Sequence, residues 1–400
     1  MKPVYVIGTC DTKEAELRYA AERVKAAGAA PLIIDISTTP SSAGADVTPE
    51  MVARHHPKGA DAVLNHADRG QAVTAMAEAL SQFLLAQKDI GAVLGLGGGG
   101  NTSMVTAAMR ALPIGVPKLM VSTMASGNVA PYVGPTDVMM MHAVADVAGL
   151  NAITRTVIGN AAHAAAGMAL SSVPRVVDGK RPVGLTMFGV TTPCITQIRH
   201  MIEADNECFV FHATGTGGQC FEKLIESGLL HAALDITTTE VTDHLFGGVL
   251  ACTDDRFGAV IRSRIPWVGS VGAVDMVNFG PRETVPSQVN HRNFYIHNPQ
   301  VTLMRTTPEE NVLIGRWIVE RVNRMEGPVR FLLPLQGVSA IDAPGKPFHD
   351  PDADQALFKA IRDSWKPAPN RHLIEVDAHI NDPAFAEASV HAFREITRGA

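Results

Sequence analysis

Short, continuous runs of apolar residues alternate along this chain with longer segments whose apolar residues recur at helical spacing. In the first half, the apolar runs predict strands at residues 4–8, 31–36, 90–96, 118–122 and 138–141. Helical spacing predicts helices at residues 13–27, 69–88 and 150–170, and another that ends at Leu112. Because the strands are apolar throughout, the pattern predicts a parallel sheet that is buried on both faces and joined by crossover helices.

The same pattern restarts in the second half of the chain. It predicts strands at residues 183–187, 208–212, 232–236, 329–334 and 372–376, and helices at residues 194–205, 219–227, 308–325, 354–365 and 383–398. Residues 171–182 contain prolines and no large apolar cluster, which predicts a linker. We therefore expect an α/β protein with an N-terminal domain of residues 1–178 and a C-terminal domain of residues 179–400. Residues 41–68 are polar and predict only a short helix.

Composition narrows the class of protein. A length of 400 residues exceeds the roughly 250–300 at which one core stops growing, in agreement with two domains. The net charge of −6 gives no electrostatic reason to bind nucleic acid or an anionic membrane. The chain begins with no recognisable signal peptide, and its five cysteines lack the spacing of a zinc or redox motif. These features predict a cytoplasmic protein.

Loops rich in glycine, serine and threonine follow most of the predicted strands. In a parallel sheet these loops lie at the carboxyl edge, where ligands bind against helix N-termini whose first amides lack partners. Glycine lets the backbone approach a ligand closely, and hydroxyl groups add donors. The recurrence of such loops indicates a small anionic ligand, held either in each domain or between them.

The four consecutive glycines of residues 97–100 form the sharpest of these loops. They lie between a predicted strand and a predicted helix, and Asn101 or Thr102 can cap that helix. The loop is not a Walker A motif, because GxxxxGK[ST] is absent, and it lacks the GxGxxG spacing of a dinucleotide-binding turn. The competing interpretation is a tight turn with no ligand. Residues 213–218 form the corresponding loop of the second half, for which a tight turn with no ligand is again the competing interpretation.

Charged residues follow the first strand directly. Asp11 can hold magnesium through water, and Lys13 can neutralise a phosphate. An equally good interpretation is that Asp11 caps the helix and Glu14 completes a capping box.

Histidines and one glutamate are candidate acid–base residues in the second half. His212 ends a strand, and Glu240 and His244 are four residues apart, so they share one helix face and could act as an acid–base pair or as metal ligands. A solvated helix face is the alternative.

Several longer motifs together resemble one known family. They are residues 6–13, 95–103, 187–193, 211–218, 235–240, 274–280, 297–299, 337–339 and 379–383. The family comprises bacterial and plant proteins similar to the N-terminal ATP-binding region of the tomato mosaic virus resistance protein. The resemblance implies two Rossmann-like domains, each a mostly parallel sheet with flanking helices, with ATP and Mg²⁺ bound in the first, and a homodimer. Larger members carry a fused domain similar to phosphoenolpyruvate hydrolases, which implies a role in small-carboxylate or sugar-acid metabolism.

The resemblance and the loops together assign residues to two sites. The residues assigned to ATP are Gly8, Thr9, Asp11, Lys13, Gly97, Gly98, Gly99, Gly100, Asn101, Thr102, Ser103, Ser122, Ser126 and Gly127, with Asp11 as the magnesium ligand. Those assigned to a second substrate are Thr191, Thr192, Thr214, Gly215, Thr216, Gly217 and Gly218, with Glu240, His212 and His244 as catalytic candidates. Two alternatives remain open: an ATP-independent hydrolase or lyase, and a non-catalytic protein that responds to nucleotide.

Overall fold

The computed structural model describes residues 2–38, 44–64, 68–174 and 179–398 of the chain. It divides into two compact units, Met1–Val176 and Val177–Ala400. Part of the predicted linker, residues 175–178, lies outside the described residues, as do residues 41–43 and 65–67 of the polar segment.

The N-terminal domain is built on five parallel strands. They are β1 (Val4–Gly8), β2 (Pro31–Asp35), β3 (Ala92–Gly97), β4 (Lys118–Ser122) and β5 (Met139–His142), in the order β2-β1-β3-β4-β5. The helices are α1 (Cys10–Ala26), α2 (Pro49–Ala53), α3 (Asp61–Leu64), α4 (Arg69–Ala86), α5 (Gly99–Ala111), α6 (Ala130–Val133) and α7 (Ala152–Leu170). The elements that sequence periodicity predicts in this half are therefore present.

Both faces of this sheet are covered, which is why apolar residues occupy consecutive positions in its central strands. Val6 packs into the core with helices α1 and α7, whereas its neighbour Ile7 faces α4 and α5. Every residue of β1, β3 and β4 is buried. With these strands buried, the carboxyl-edge loops remain as the place where a sheet of this kind binds a ligand.

The C-terminal domain is built on six parallel strands. They are β6 (Arg181–Met187), β7 (Asn206–His212), β8 (Ala232–Thr237), β9 (Trp267–Gly272), β13 (Val329–Pro334) and β14 (Arg371–Val376), in the order β14-β13-β9-β8-β6-β7. The helices are α8 (Thr192–Ile202), α9 (Thr216–Glu226), α10 (Glu240–Phe246), α11 (Gly258–Ser263), α12 (Pro308–Val322), α13 (Pro351–Ser364) and α14 (Pro383–Thr397). Two mostly parallel sheets flanked by helices confirm the predicted fold class.

A small antiparallel sheet is inserted between β9 and β13. It consists of β10 (Met276–Phe279), β11 (Phe294–Asn298) and β12 (Val301–Arg305), in the order β10-β12-β11. The apolar pattern predicted neither this sheet nor β9, which glycines interrupt. In β9, Gly269 is needed because a Cβ there would overlap the ring of Trp267, which folds over it.

None of the helices in the described part of the chain is long and apolar enough to cross a membrane.

Candidate functional site

The order of strands in the N-terminal sheet places a crevice between β1 and β3. From β1 the chain passes to β2 on one side, and then returns to β3 on the other side of β1. The loops after β1 and β3 therefore diverge at the carboxyl edge, which is where open α/β sheets bind ligands. These are the loop from Thr9 to Lys13 and the glycine loop from Gly97 to Ser103.

A cavity of about 540 Å³ lies at this crevice. Its lining residues are Thr9, Asp11, Thr12, Lys13, Thr38, Arg69, Ala72, Val73, Gly98, Gly99, Gly100, Asn101 and Met104. The volume is within the range of about 300–1,000 Å³ that is usual for small-molecule sites. Seven of the fourteen residues that the sequence assigns to ATP thus lie together on one cavity.

The glycines that face this cavity have no packing reason to be glycine. A Cβ on Gly98 would lie 3.7 Å from Thr123 Oγ1, one on Gly99 3.8 Å from Met124 Sδ, and one on Gly100 within 4 Å of nothing. None of the three has a positive φ. Because glycine costs a helix about 0.5–1 kcal/mol relative to alanine, neither packing nor backbone angle accounts for these glycines, which lie on the cavity lining.

Gly97 is glycine for a different reason. Its φ is +150°, and a Cβ there would lie 2.6 Å from Asn101 Cβ. This gap lets the Asn101 side chain fold back, where Nδ2 donates to Leu96 O and to Thr9 Oγ1, each at 3.2 Å. Asn101 therefore ties the glycine loop to the loop after β1.

The charges on the cavity are mostly positive. Lys13 and Arg69 line it, and neither forms an ion pair with another residue in the described ranges. Helix α5 directs its first-turn amides to the same space, which adds roughly half a positive charge. Asp11 is the carboxylate on the lining. The combination suits a phosphate-bearing ligand with an associated cation.

The first turn of α1 is shaped around a buried carboxylate rather than by a capping box. Asp35 Oδ1 accepts hydrogen bonds from the Cys10 amide at 2.9 Å and from Ser37 Oγ at 2.5 Å, Ser37 Oγ accepts from the Asp11 amide at 3.2 Å, and the N-cap residue Thr9 makes no capping hydrogen bond. Lys13 has non-helical angles, φ −132° and ψ 20°, and interrupts the helix. Burial, with Asp35 nearby, raises the pKa of the Cys10 thiol to about 12, so this cysteine is not a nucleophile.

The other seven predicted ATP residues lie outside the cavity lining given for the described residues. Ser122 is buried, where its Oγ lies 2.6 Å from Thr102 Oγ1 and accepts from the Met124 amide. Ser103 donates to Gly99 O within its own helix. These hydroxyls satisfy helix and turn ends, and Gly8, Gly97, Ser126 and Gly127 also do not line the cavity.

Sequence reasoning missed several residues of the cavity wall, of which Arg69 matters most. It is the first residue of α4, directly after the capping residue Asp68. A cation at a helix N-terminus opposes the helix dipole, and this unfavourable placement is a signal that could have identified it. The remaining missed lining residues are Thr12, Thr38, Ala72, Val73 and Met104.

In the C-terminal domain the predicted catalytic glutamate is locked in a buried ion-pair cluster. Glu240 is fully buried, accepts from Arg256 Nε at 2.5 Å and accepts from the Gly215 amide at 2.8 Å. The same guanidinium binds both oxygens of Asp235, at 2.9 and 2.7 Å. Burial would lower the pKa of Arg256, but the surrounding carboxylates raise it well above its ordinary value.

Glu222 completes this cluster, with a carboxylate oxygen 3.7 Å from Arg256 Nη1. Burial raises the pKa of Glu222 to about 8, against the opposing effect of Arg256. Burial also raises the pKa of Glu240. The cluster is a structural ion-pair network. Each carboxylate oxygen of the buried Glu240 accepts a hydrogen bond within it, one from Arg256 and one from Gly215, which disfavours a role as a base.

The pairing of Glu240 with His244 is not formed. His244 Nε2 lies 3.1 Å from Asp254 Oδ1, and its ring contacts Trp317, whereas Glu240 faces Arg256. Across the described ranges, no group of three or more histidine, cysteine, aspartate or glutamate side chains is placed to hold a metal ion. The third candidate, His212, is exposed at the end of β7.

The glycines of the second loop are explained by packing, unlike those of the first. A Cβ on Gly218 would overlap the Glu240 carboxylate, and one on Gly217 would overlap His212 O. Gly215 has φ +72° and lies against Ala251 O. The non-ligand alternative for residues 213–218 is thus sufficient, although Thr216 is exposed and Thr214 is partly buried.

The crevice of the second sheet, between β6 and β8, is filled by the chain itself. Thr191 and Thr237 are fully buried, with their hydroxyls 2.8 Å apart. Val190, in the loop after β6, packs into an apolar cluster with Met276 and Leu303 of the antiparallel sheet. Thr191 therefore serves packing, whereas Thr192 is only partly buried.

A larger cavity, about 790 Å³, lies at the opposite, amino-terminal edge of the second sheet. Its cations bind helix ends: Arg181 donates to Thr397 O, Arg394 to Met201 O and Lys180 to Glu203 O. Carbonyl groups at helix C-termini attract basic side chains, so this cavity is explained by capping, and its helix ends disfavour an anion.

Comparison with known proteins gives matches over nearly the whole chain. The N-terminal domain of an uncharacterised protein family (UPF0261) matches residues 2–174, and the C-terminal domain of that family matches residues 180–397. A UPF0261 protein of Rhizobium meliloti is 54% identical over 396 residues, covering 99% of each chain. One from Clostridium tetani is 39% identical, covering 97% of each chain.

The comparison also confirms the resemblance to the tomato protein. The ToMV resistance protein Tm-1(GCR237) of Solanum lycopersicum is 41% identical over 419 residues. The match covers 98% of this chain and 56% of the tomato protein.

Proposed function

This chain belongs to the UPF0261 family, and we propose that its N-terminal domain binds ATP with magnesium in the cleft between β1 and β3. The observation that carries the proposal is the row of glycines Gly98–Gly100, which the packing of the protein does not require. They stand at the N-terminus of a 13-residue helix, α5, at the point where α/β sheets bind ligands.

The chemistry of the wall favours a nucleotide over a bare phosphate. Lys13, Arg69 and the α5 amides would hold phosphate oxygens. Val73 and Met104 line the same cavity and provide apolar surface for a base or sugar. A ligand with one charged and one apolar end matches this division.

The residues of the cleft also fit magnesium. Among the described residues a single carboxylate, Asp11, lines the cavity, and magnesium in nucleotide sites is usually held by one or two carboxylates together with the phosphates and waters. When bound, the ion would neutralise phosphate charge.

We propose further that the protein is an enzyme that uses this nucleotide in small-carboxylate or sugar-acid metabolism. The support is the family resemblance and its fused relatives. The ATP-independent hydrolase is less favoured, because Glu240, its main candidate base, is locked against Arg256.

The nucleotide proposal is tested by isothermal titration calorimetry with ATP and MgCl₂. Lys13→Gln and Arg69→Gln should each weaken binding by about tenfold, the loss of one charge-assisted phosphate contact. Lys25→Gln is the matched control, since Lys25 is exposed in the last turn of α1. Absence of binding at millimolar ATP, ADP or AMP would refute the proposal.

The homodimer is a separate proposal, supported by the family resemblance and by strand β5. This strand ends the sheet order, and Met139 on it is 40% exposed, without the charged residues that usually protect a sheet edge. Light scattering during gel filtration should give twice the chain mass of 42.5 kDa. A monomeric mass at micromolar concentration would contradict it.

A further inference from the structure

A chain of hydrogen bonds runs along one wall of the N-terminal cleft and joins its two loops. Asn101 Nδ2 lies 3.2 Å from Thr9 Oγ1, Thr9 Oγ1 lies 2.9 Å from Thr12 Oγ1, and Thr12 Oγ1 lies 3.2 Å from Asp11 Oδ1. All four side chains line the cavity. They form what we call the oxygen wall: Thr9, Asp11, Thr12 and Asn101.

The direction of each bond is fixed at the two ends of the chain. Leu96 O, 3.2 Å from Asn101 Nδ2, can only accept, so the amide nitrogen of Asn101 faces Leu96 and Thr9. The carboxylate of Asp11 also accepts, so Thr12 donates its single hydroxyl proton to Asp11. Thr9 must then accept from Asn101 and donate to Thr12.

This direction leaves the wall with lone pairs and no hydroxyl proton for a ligand. Both threonine protons are used within the chain, and both amide protons of Asn101 are used by Leu96 and Thr9. Asn101 Oδ1 makes no hydrogen bond in the described part of the chain, yet it is not among the solvent-inaccessible unpartnered atoms. It therefore presents an acceptor at the cavity.

Acceptors repel phosphate oxygens and attract cations, so the lining of the cleft carries two kinds of group. Lys13, Arg69 and the α5 amides present positive charge and N–H donors. The oxygen wall presents a carboxylate and neutral oxygens, the ligand types that magnesium prefers.

We propose that the oxygen wall is the magnesium-facing side of the cleft, with Thr9, Thr12 and Asn101 joining Asp11 in holding the ion or its bound waters. The proposal rests on the proposed nucleotide function and assigns a role to Thr12, which lies in the motif of residues 6–13 but was not among the residues that the sequence assigns to ATP. It also explains why an asparagine lies at the start of α5. The amide nitrogen of Asn101 fixes the direction of the hydrogen-bond chain, and its side-chain carbonyl oxygen is left as an acceptor.

The test measures the contribution of metal to nucleotide affinity. ATP binding is titrated calorimetrically in EDTA and in MgCl₂, and Mn²⁺ binding with ATP is followed by the loss of the free Mn²⁺ electron paramagnetic resonance signal. Thr12→Val is the main variant, because Thr12 is exposed, so the substitution should leave the fold intact. Thr74→Val is the matched control, since this threonine donates to Gly70 O on α4 and lies off the cavity lining.

In the wild-type protein, ATP affinity should be higher in MgCl₂ than in EDTA. Thr12→Val should reduce this magnesium-dependent gain in ATP affinity, and the Mn²⁺ affinity, by about tenfold. Affinity for ATP in EDTA should stay within about twofold, below the roughly tenfold effect of a lost ligand-orienting contact. Asp11→Asn should abolish most of the metal increment and bind metal-free ATP as well as or better than wild type, because a negative charge is removed from the cavity. Thr74→Val should change neither quantity.

Three results would count against the inference. Equal loss of affinity with and without metal in Thr12→Val would mean that the wall faces phosphate. If the wild-type protein binds ATP equally in EDTA and MgCl₂, the proposed magnesium role of the oxygen wall is refuted, whereas the proposed nucleotide site is not. No ATP binding under either condition would refute the nucleotide proposal and this inference together.

Discussion

Substitution of adjacent glycines by alanine should separate packing from ligand binding in the nucleotide loop. In Gly97→Ala the new methyl group falls 2.6 Å from Asn101 Cβ, on a residue whose φ is +150°. Backbone strain and overpacking each contribute about 1–3 kcal/mol, so the domain should lose about 2–6 kcal/mol of unfolding free energy. In Gly98→Ala the methyl lies 3.7 Å from its nearest neighbour, at an ordinary φ of −88°.

Gly98→Ala should therefore leave stability within about 0.5 kcal/mol of wild type and act on the ligand alone. Its methyl occupies space that a phosphate oxygen would use, and an overpacking cost of about 1–3 kcal/mol corresponds to roughly 5–150-fold weaker ATP binding. Gly167→Ala is the control: its site is open, it lies in helix α7, and it should be neutral or stabilising by up to about 1 kcal/mol.

The assay must report on the N-terminal domain. All three tryptophans lie in the C-terminal domain, at positions 267, 317 and 365, so tryptophan fluorescence follows only that domain. Calorimetric unfolding of the whole chain, with the tryptophan transition identified separately, isolates the N-terminal transition. Gly97→Ala should lower its midpoint by at least about 4 °C, since 1 kcal/mol shifts a domain of this size by about 2–4 °C. Wild-type ATP affinity in Gly98→Ala would refute the reasoning from open space, and wild-type stability in Gly97→Ala would refute the packing geometry.

The remaining predictions concern the C-terminal domain and use tryptophan fluorescence during urea unfolding. Arg256→Met should lose about 3–5 kcal/mol, because Asp235 and Glu240 stay buried without their counter-charge; a loss below about 1 kcal/mol would contradict the ion-pair network. Glu240→Gln should also destabilise the domain, by about 2–3 kcal/mol, because its amide donor faces the guanidinium; full stability with lost enzymatic turnover would restore Glu240 as a catalytic base. Burial, with Asp342 nearby, raises the pKa of Asp354 to about 8, so the native state keeps a proton that the unfolded state has lost. This group's contribution to unfolding free energy therefore falls as pH rises from about 4 to about 8 and is constant above. Asp354→Asn should remove about 1.4 kcal/mol per pH unit from that slope, and an unchanged slope would count against the raised pKa.

Much of the candidate site could be predicted from sequence because its parts are local. The strands before Thr9 and before Gly98 are continuous apolar runs, and the glycines lie directly after one of them. Parallel strands place their carboxyl ends at one edge, so both loops are expected there, and the strand order, with β3 beside β1, makes them neighbours. Arg69 could not be predicted in this way, because it reaches the cavity only through the packing of α4 beside α5.

The second half shows where local reasoning fails. Its glycine and threonine loops look like those of the first half, yet Gly218 packs on Glu240 and Thr191 is buried against Thr237. The partner that locks Glu240, Arg256, lies 16 residues further along the chain, and no periodic pattern connects the two. The antiparallel sheet that helps to cover this edge was not predicted either.

The sequence by itself determined most of the strands and helices of the two main sheets, the two-domain α/β class and the position of the glycine loop, because hydrophobic period and turn chemistry are properties of neighbouring residues. Only the tertiary structure decided which glycines face open space and which carboxylates face a cavity. Burial and electrostatic pairing depend on residues far apart in the chain, so the same loop composition gives a ligand cleft around Gly98 and a packed polar core around Gly218.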